Sequence, residues 1–275
     1  VARVVAVANQ KGGVAKTTTV HSLGYALAES GRRVLLVDLD PQACLTYSTG
    51  VDVDSLDLTL HDVFQRRAKA TDVRRVVDGV AGLEILPAAI DLGASEIDLL
   101  YRTGREYVLS YVLADVRDDY DIILIDCPPS LGVLTINGLT AAEEVLVPFQ
   151  CEALSTRGVG ELLETIDDVR TFTKTNLCVR GVIATMYDGH TRHKRAMLAT
   201  IRDRYGLAVL EPPVPKTIRF AEAPQVGRCI LQHAPLSAGA DAYRSIARRL
   251  DVNPGGLFSG SDPVAGVPDR KIALV

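Results

Sequence analysis

The run Gln10-Lys11-Gly12-Gly13-Val14-Ala15-Lys16-Thr17-Thr18-Thr19 follows directly on the apolar stretch Val4–Ala8. A short buried strand therefore enters a glycine-rich turn and leaves it through a Lys-Thr-Thr that opens a helix. Such a turn offers backbone N–H groups and a helix N-terminus to phosphate oxygens. Lys16 neutralises the outer phosphates of a nucleotide, and the Thr17 hydroxyl ligates Mg²⁺. The usual G-x-x-x-x-G-K-[ST] pattern is not met, because Gln10 and Ala15 occupy its two glycine positions. The pattern that fits is a variant with a second lysine, Lys11, at the front of the loop.

Two carboxylate segments follow in order. Val37-Asp38-Leu39-Asp40-Pro41-Gln42 places two acids just past a strand, where either can orient water or a Mg²⁺-bound water near a γ-phosphate. Ile122-Ile123-Leu124-Ile125-Asp126-Cys127-Pro128-Pro129 is an apolar strand ending in an acid, the arrangement that brings a carboxylate to the shell of a metal. Aspartates after strands often do no more than start turns. Behind a phosphate loop, in this order and at strand ends, they read as a nucleotide-hydrolysing site.

Elements of the right kind are present to position these loops. Strand-like runs lie at Val4–Ala8, Arg33–Val37, Leu83–Leu86, Ile122–Ile125, Val145–Phe149, Val179–Thr185 and, weakly, Leu207–Leu210. Val20, Leu23 and Leu27 form a helical stripe with Gly31 at the C-terminal cap position. Further helices are expected over Leu99–Val116, Gly160–Phe172, Thr191–Tyr205 and Ser237–Leu250. Alternating continuous apolar strands and helices predict an α/β fold, a doubly wound and mostly parallel sheet covered on both faces. Its ligands sit beyond the carboxyl ends of the strands. Residues 1–250 read as one ATPase domain, and 251–275 as a flexible Gly/Pro-rich tail.

Composition narrows the function classes. At 275 residues and 47% hydrophobic, the chain is long enough to bury a full core. Five dispersed cysteines without a C-x-x-C pair point to a reducing compartment and packing roles, Cys127 included. No run approaches the length of a membrane span, and the N-terminal apolar run is too short and lacks a basic leader for a signal peptide. The net charge of −4 hides an asymmetry: residues 181–250 carry 11 Lys/Arg against 5 Asp/Glu. A basic third on an acidic body predicts one face for polyanions.

Lys11-Gly12-Gly13-Val14-x-Lys16-Thr17-Thr18, Asp38-Leu39-Asp40-Pro41-Gln42, Ile125-Asp126-Cys127-Pro128-Pro129 and Ile218-Arg219-Phe220-Ala221-Glu222-Ala223-Pro224 together resemble the ParA/Soj branch of the deviant Walker ATPases, the ParA/MinD superfamily. The resemblance runs from about residue 3 to about residue 250. It implies a weak Mg²⁺-dependent ATPase that dimerises on ATP, two nucleotides lying between two subunits. Lys11 would reach the partner's ATP, Lys16 the β- and γ-phosphates of its own, Thr17 the Mg²⁺ and Thr18 the α-phosphate side. Gly12, Gly13, Val14 and Ala15 would supply the loop backbone. Asp40 would position the hydrolytic water and Asp126 would stand in the second shell of the metal. Met186 and the segment Pro213-Val214-Pro215 match positions near the adenine.

One departure is Ala15, where the family has glycine. If that backbone is left-handed, alanine costs roughly 1–2 kcal/mol. ATP binding is nevertheless expected.

Arg219 matches one of the family's two DNA-binding positions. His190 stands at the other, with Arg192, Lys194 and Arg195 close behind and Lys216, Arg244, Arg248 and Arg249 able to widen the patch. With no Trp and few aromatics, duplex phosphates are a better fit than stacked single strands. His190 and His193 have no further ligands at useful spacing, so a metal is not expected there.

The resemblance thus implies a cytoplasmic, nucleoid-associated switch for chromosome or plasmid partition, its hydrolysis stimulated by a ParB-type centromere-binding protein. The phosphate loop stands at the start of the sequence, which predicts no operator-reading domain ahead of it. The alternatives are an orphan ParA-like positioner of another cargo and a MinD-like membrane cycler. The second needs an amphipathic C-terminal helix, and residues 254–275 are broken by prolines and glycines. A dethiobiotin-synthetase-like ligase on the same fold fits Lys11 and the Arg219 segment less well.

Overall fold

A strand that is apolar at every position needs cover on both of its faces, and the sheet here has it. The computed structural model describes residues 2–152, 155–188 and 192–252, without the side chains of His193 and Val252. The strands are β1 (Arg3–Val7), β2 (Val34–Asp38), β3 (Arg75–Val76), β4 (Leu83–Leu86), β5 (Ile122–Asp126), β6 (Glu144–Gln150), β7 (Cys178–Thr185) and β8 (Val209–Leu210). They form one sheet in the order β3-β4-β2-β5-β1-β6-β7-β8. Every pairing is parallel except that of β3 with β4.

The period of two along each strand sorts side chains into two cores. Val5, Val7, Val34, Leu36 and Leu124 face one layer. It is made by α1 (Lys16–Glu29), α2 (Cys44–Ser48) and the C-terminal helices α11 (Ile230–His233) and α12 (Ala238–Val252). Val4, Ala6, Leu35, Val37 and Ile123 face the other. That layer holds α3 (Leu60–Phe64), α4 (Ala70–Val73), α5 (Leu92–Leu99), α6 (Val108–Ala114), α7 (Val133–Ala141), α8 (Ser155–Phe172) and α9 (Arg192–Tyr205). A one-turn helix, α10 (Arg219–Glu222), lies between β8 and α11. Among the described residues no helix is long and apolar enough to cross a membrane.

The chain leaves β1 toward β2 on one side and leaves β6 toward β7 on the other. The adjacent carboxyl ends of β1 and β6 therefore form a switch point, the place where open α/β sheets leave a crevice. α1 ends as its sequence predicts: Gly31 takes φ 90°, and the N–H of Arg32 returns to the Leu27 carbonyl at 3.1 Å.

Three expectations need correction. Of the helix expected over Leu99–Val116 only α6 (Val108–Ala114) forms as an α-helix: Leu99 is the last residue of α5, and Gly104 turns the chain at φ 67° between the two. The apolar run around Leu134–Ala141 is a helix, α7, which the reading of strands and stripes passed over; it is buried almost all round and so shows no polar face. The last helix runs to Val252, two residues past the expected domain end, and the tail from 253 onward lies outside the described residues.

Candidate functional site

The phosphate loop leaves β1 and is braced before it turns. Asn9 donates from Nδ2 to the Pro148 carbonyl at 2.7 Å, and its Oδ1 accepts from the Lys11 N–H at 3.0 Å. Thr185, at the end of β7, donates to the Val14 carbonyl at 3.0 Å. Two neighbouring strands thus hold the loop at both flanks. Inside it, Gly13 takes φ 72° and Ala15 φ 68°, ψ 37°. The condition raised by the sequence is met: position 15 is left-handed and pays an alanine penalty. Ala15→Gly should raise the melting temperature by about 2–4 °C, a gain of about 1 kcal/mol in a chain of this size. Thermal unfolding of the nucleotide-free protein checks it.

At the start of α1 the burial of charge is the dominant feature. Lys16 is buried, its Nζ donating to the Lys11 carbonyl at 3.3 Å. Burial lowers the pKa of this ammonium, while Asp126, Cys127 and Asp40 nearby hold it up. Asp126 is also buried, at the end of β5, and neither of its oxygens makes a well-formed hydrogen bond. Burial and then Asp38 push its carboxyl well above the usual range, and Thr17 and Lys16 hold it back. A buried carboxylate without hydrogen bonds, next to a threonine hydroxyl and a lysine, is the donor set that a hard cation with a phosphate would satisfy. The residues fit Mg²⁺ and a nucleotide.

The residue types alone left the two acids equivalent and the resemblance gave the hydrolytic water to Asp40; in the fold they differ in burial and partners. Asp38 is buried and turned inward; its oxygens accept from the Thr46 N–H at 2.8 Å, the Thr46 hydroxyl at 2.7 Å and the Asp40 N–H at 3.1 Å. It holds the loop. Asp40 lines the open cleft and caps the turn through Gln42 N–H at 3.0 Å.

That cleft encloses about 960 Å³ and is walled by Gly12, Gly13, Ala15, Lys16, Thr17 and Thr18 on the loop side. Met186 (φ 48°), Val214 and Pro215 line it beyond β7 and β8. Of the expected segment, Pro213 does not line it, and Val214 is drawn in by its N–H to the Ala184 carbonyl at 2.8 Å. Gln10, Val14 and Lys11 are also not among the lining residues. Lys11 is turned to its own chain, its Nζ 2.6 Å from Glu152 Oε2 and 3.3 Å from Ser155 Oγ.

Neighbours unforeseen from the sequence complete the cleft. Ser48 donates to the Leu45 carbonyl at 2.8 Å, so its oxygen accepts from His21 Nδ1 at 3.2 Å. Burial lowers the His21 pKa to about 4, which keeps the ring neutral; Nε2 and the Ser22 hydroxyl, on residues of the cleft wall, have no hydrogen-bond partner among the described residues. The stripe Thr18-His21-Ser22 on α1 was the sequence signal for this wall. Asn9 two residues before Lys11 was the signal for the brace.

The basic residues divide. Lys216 lines the cleft and is exposed; Arg192 and Arg195 are exposed in the first turn of α9. All three follow the carboxyl ends of the adjacent strands β7 and β8. Lys194 is paired with Asp188 at 2.7 Å and Arg219 with Glu222 at 3.1 Å. Arg244 is bound to Glu29 at 2.7 Å, which turns it onto α1 and away from the patch. His190 and the His193 side chain lie outside the described residues. No cluster of three or more metal-binding side chains occurs among the described residues.

Comparison with known proteins places this geometry in company. The AAA domain family matches residues 2–179. Sporulation initiation inhibitor protein Soj of Bacillus subtilis (strain 168) is 38% identical over 251 residues, 91% of this chain and 99% of its own length. Chromosome partitioning protein ParA of Caulobacter vibrioides is 40% identical over 250 residues, 90% and 93% of the two chains. Among solved structures, the cobyrinic acid a,c-diamide synthase of Mycobacterium smegmatis with bound ADP and magnesium superposes with a TM-score of 0.81 at 50% identity, covering 91% of this chain and 94% of that one.

Proposed function

We infer, for a chain that belongs to the ParA/Soj family of AAA-type ATPases, that it is an ATP-operated switch: it dimerises on ATP, coats duplex DNA without reading sequence, and is reset by hydrolysis. The observation that carries the reading is the unsatisfied Asp126 carboxylate beside Thr17 and Lys16, at a cleft walled by the glycine-rich loop. Thr17 and Asp126 hold the metal side and Lys16 the β- and γ-phosphates. Mg²⁺, when bound, screens the phosphate charge. Gly12, Gly13, Val14, Ala15 and Thr18 donate or shape the donors of the loop, and Asp40 orients water at the open side. Met186 and Pro215 cover the base.

Lys11 changes partner in this scheme. Its ion pair with Glu152 is exposed to solvent and so holds it only weakly. The phosphates of a second subunit's nucleotide are a stronger attraction. A γ-phosphate shared between subunits makes the dimer depend on ATP, and hydrolysis withdraws that contact.

Arg192, Arg195, Lys216 and Arg219 form the DNA face, with Lys194 joining when it releases Asp188. Doubling the patch in a dimer multiplies the phosphate contacts. A ParB-type centromere-binding protein stimulates hydrolysis, and the protein works on the nucleoid in the cytoplasm. The test is co-sedimentation with long random duplex DNA in Mg-ATP, Mg-ADP and no nucleotide. Binding in ATP alone, falling steeply between about 50 and 200 mM salt, is the expected result. Equal binding in all three states refutes the switch, and no binding removes the DNA half of the proposal.

The name of the M. smegmatis relative supports a second reading, ATP-driven amide formation on a carboxylic acid. ATP consumption that requires cobyrinic acid and an amine donor, and ignores DNA, would replace the first reading with this one.

A further inference from the structure

Helix α5 buries one face and leaves the other bare. Leu92, Ser95 and Leu99 point into the core. On the opposite side Ile90, Ile97 and Tyr101 are 75%, 62% and 88% exposed, and Ala94 between them is exposed too. The helical stretch continues past both ends of α5 through i→i+3 bonds, Gly93 N–H to Ile90 carbonyl at 3.1 Å and Tyr101 N–H to Asp98 carbonyl at 3.2 Å. Residues 90, 94, 97 and 101 therefore form one continuous stripe, spaced four, three, four. Leu100, 52% exposed, widens it. A contiguous apolar stripe of this kind marks a contact surface rather than scattered surface residues.

Two features identify what covers it. The first is the spacing, which reads the same in both directions. A two-fold axis through the middle of the stripe sets two copies antiparallel, Ile90 against Tyr101 and Ala94 against Ile97. Ile90 then packs on Tyr101 and Ile97 on the small Ala94, which with Gly93 lets the backbones approach. A self-complementary patch is what an isologous dimer requires, and 3–4 apolar spacing is what packs helix on helix.

The second feature is location. Ile90 also lines the nucleotide cleft. α5 rests on both loops that carry the site acids. At Gly93 an added Cβ would lie 3.9 Å from Pro41 Cβ, and Glu96 Oε1 stands 2.6 Å from where a Cβ on Gly132 would be. Pro41 follows Asp40, and Gly132 follows the Asp126-Cys127-Pro128-Pro129 turn. The stripe therefore begins at the cleft mouth and is seated on the segments that a γ-phosphate would order.

We propose that the Ile90-Ala94-Ile97-Tyr101 stripe of α5 docks on the same stripe of a second copy of this chain, as an apolar contact alongside the nucleotide-mediated one, so that dimer stability is divided between them. The inference rests on the ATP-dependent dimer of the preceding section. It adds a contact that involves no phosphate.

The test uses the full chain carrying Asp40→Asn, in Mg-ATP, by sedimentation velocity with nucleotide affinity measured in parallel. Ile97→Arg with Tyr101→Arg is expected to leave ATP affinity within about twofold and to weaken the dimer tenfold or more. Both residues are exposed and neither lines the cleft, so folding and nucleotide binding serve as internal controls. In a Cys44→Ser background, Ala94→Cys with Ile97→Cys is expected to give a covalent dimer on mild oxidation in ATP and none in ADP. A charged variant that dimerises as tightly as its parent, or a parent dimer whose cysteines do not cross-link, overturns the proposal. Loss of response to an added partner protein with the dimer intact also overturns it, assigning the stripe to that partner. A parent that binds no ATP, or binds it as a monomer, shows instead that the underlying switch reading has failed and takes this contact with it.

Discussion

Lys16→Ala is expected to reduce nucleotide affinity by about 100-fold or more, which corresponds to about 3 kcal/mol of lost charge-assisted hydrogen bonding. The magnitude follows from burial. Lys16 sits where Asp126 and Asp40 hold its charge against desolvation, so its ammonium acts in a low-dielectric setting rather than in water. Alanine removes a cation that helps keep Asp126 ionised, and that carboxyl, already raised by burial, then takes up a proton more readily. The protonated acid is a poorer neighbour for a metal, so Mg²⁺ dependence should weaken along with affinity. Titration with a fluorescent ATP analogue, with and without Mg²⁺, measures both; circular dichroism confirms folding. Unchanged affinity would refute the phosphate-loop assignment.

Asp40→Asn is expected to leave ATP bound and slow its hydrolysis by about 10²-fold or more, the usual contribution of a group that positions or deprotonates the attacking water. The amide preserves the oxygen that accepts from the Gln42 N–H, so the turn into Pro41 keeps its shape. Asp38 cannot substitute, because it is buried, does not line the cleft, and its oxygens accept from Thr46 and the Asp40 N–H inside the fold. The variant should accumulate as an ATP-bound dimer in sedimentation and release phosphate slowly in single-turnover assays. A variant that stays monomeric while holding ATP counts against the two-subunit sandwich. One that hydrolyses at the parental rate removes Asp40 from the chemistry.

These two experiments probe parts of the site that were legible to different degrees. Lys16 was readable because a strand, a glycine turn and Lys-Thr-Thr form a local pattern: the loop amides and the helix start are neighbours in sequence. The αL turn at position 15 was posed by the Ala15 departure and needed only a dihedral to settle it. Asp40 and Asp38 were not separable in that way. Both leave β2, two residues apart, and the choice between them depends on Thr46, which comes back from α2 to claim Asp38. Of the Pro213-Val214-Pro215 segment expected near the base, Val214 and Pro215 line the cleft and Pro213 does not, since the bond from Val214 to Ala184 decides which side chains turn inward.

The basic third divides along the same line. Counting charges found the region, but only pairing shows which cations remain available. Arg244 is consumed by Glu29, 215 positions away in sequence, while Arg192, Arg195 and Lys216 stay exposed where β7 and β8 end. The ion pair of Lys11 with Glu152 is likewise a contact across 141 positions and has no local signature.

By itself, then, the sequence determined the seven parallel strands, the phosphate loop, the order of the acidic segments and the family, because each is written in short-range spacing and in the period of apolar residues; the short antiparallel β3 was not among them. Tertiary structure alone decided which acid faces the cleft, where Lys11 is held at rest, what lines the wall opposite Met186, and that α5 carries a bare stripe. Those outcomes depend on burial and on partners brought from remote positions in the chain. A side chain's charge state and free valences are properties of its surroundings, and the surroundings exist only once the sheet has closed.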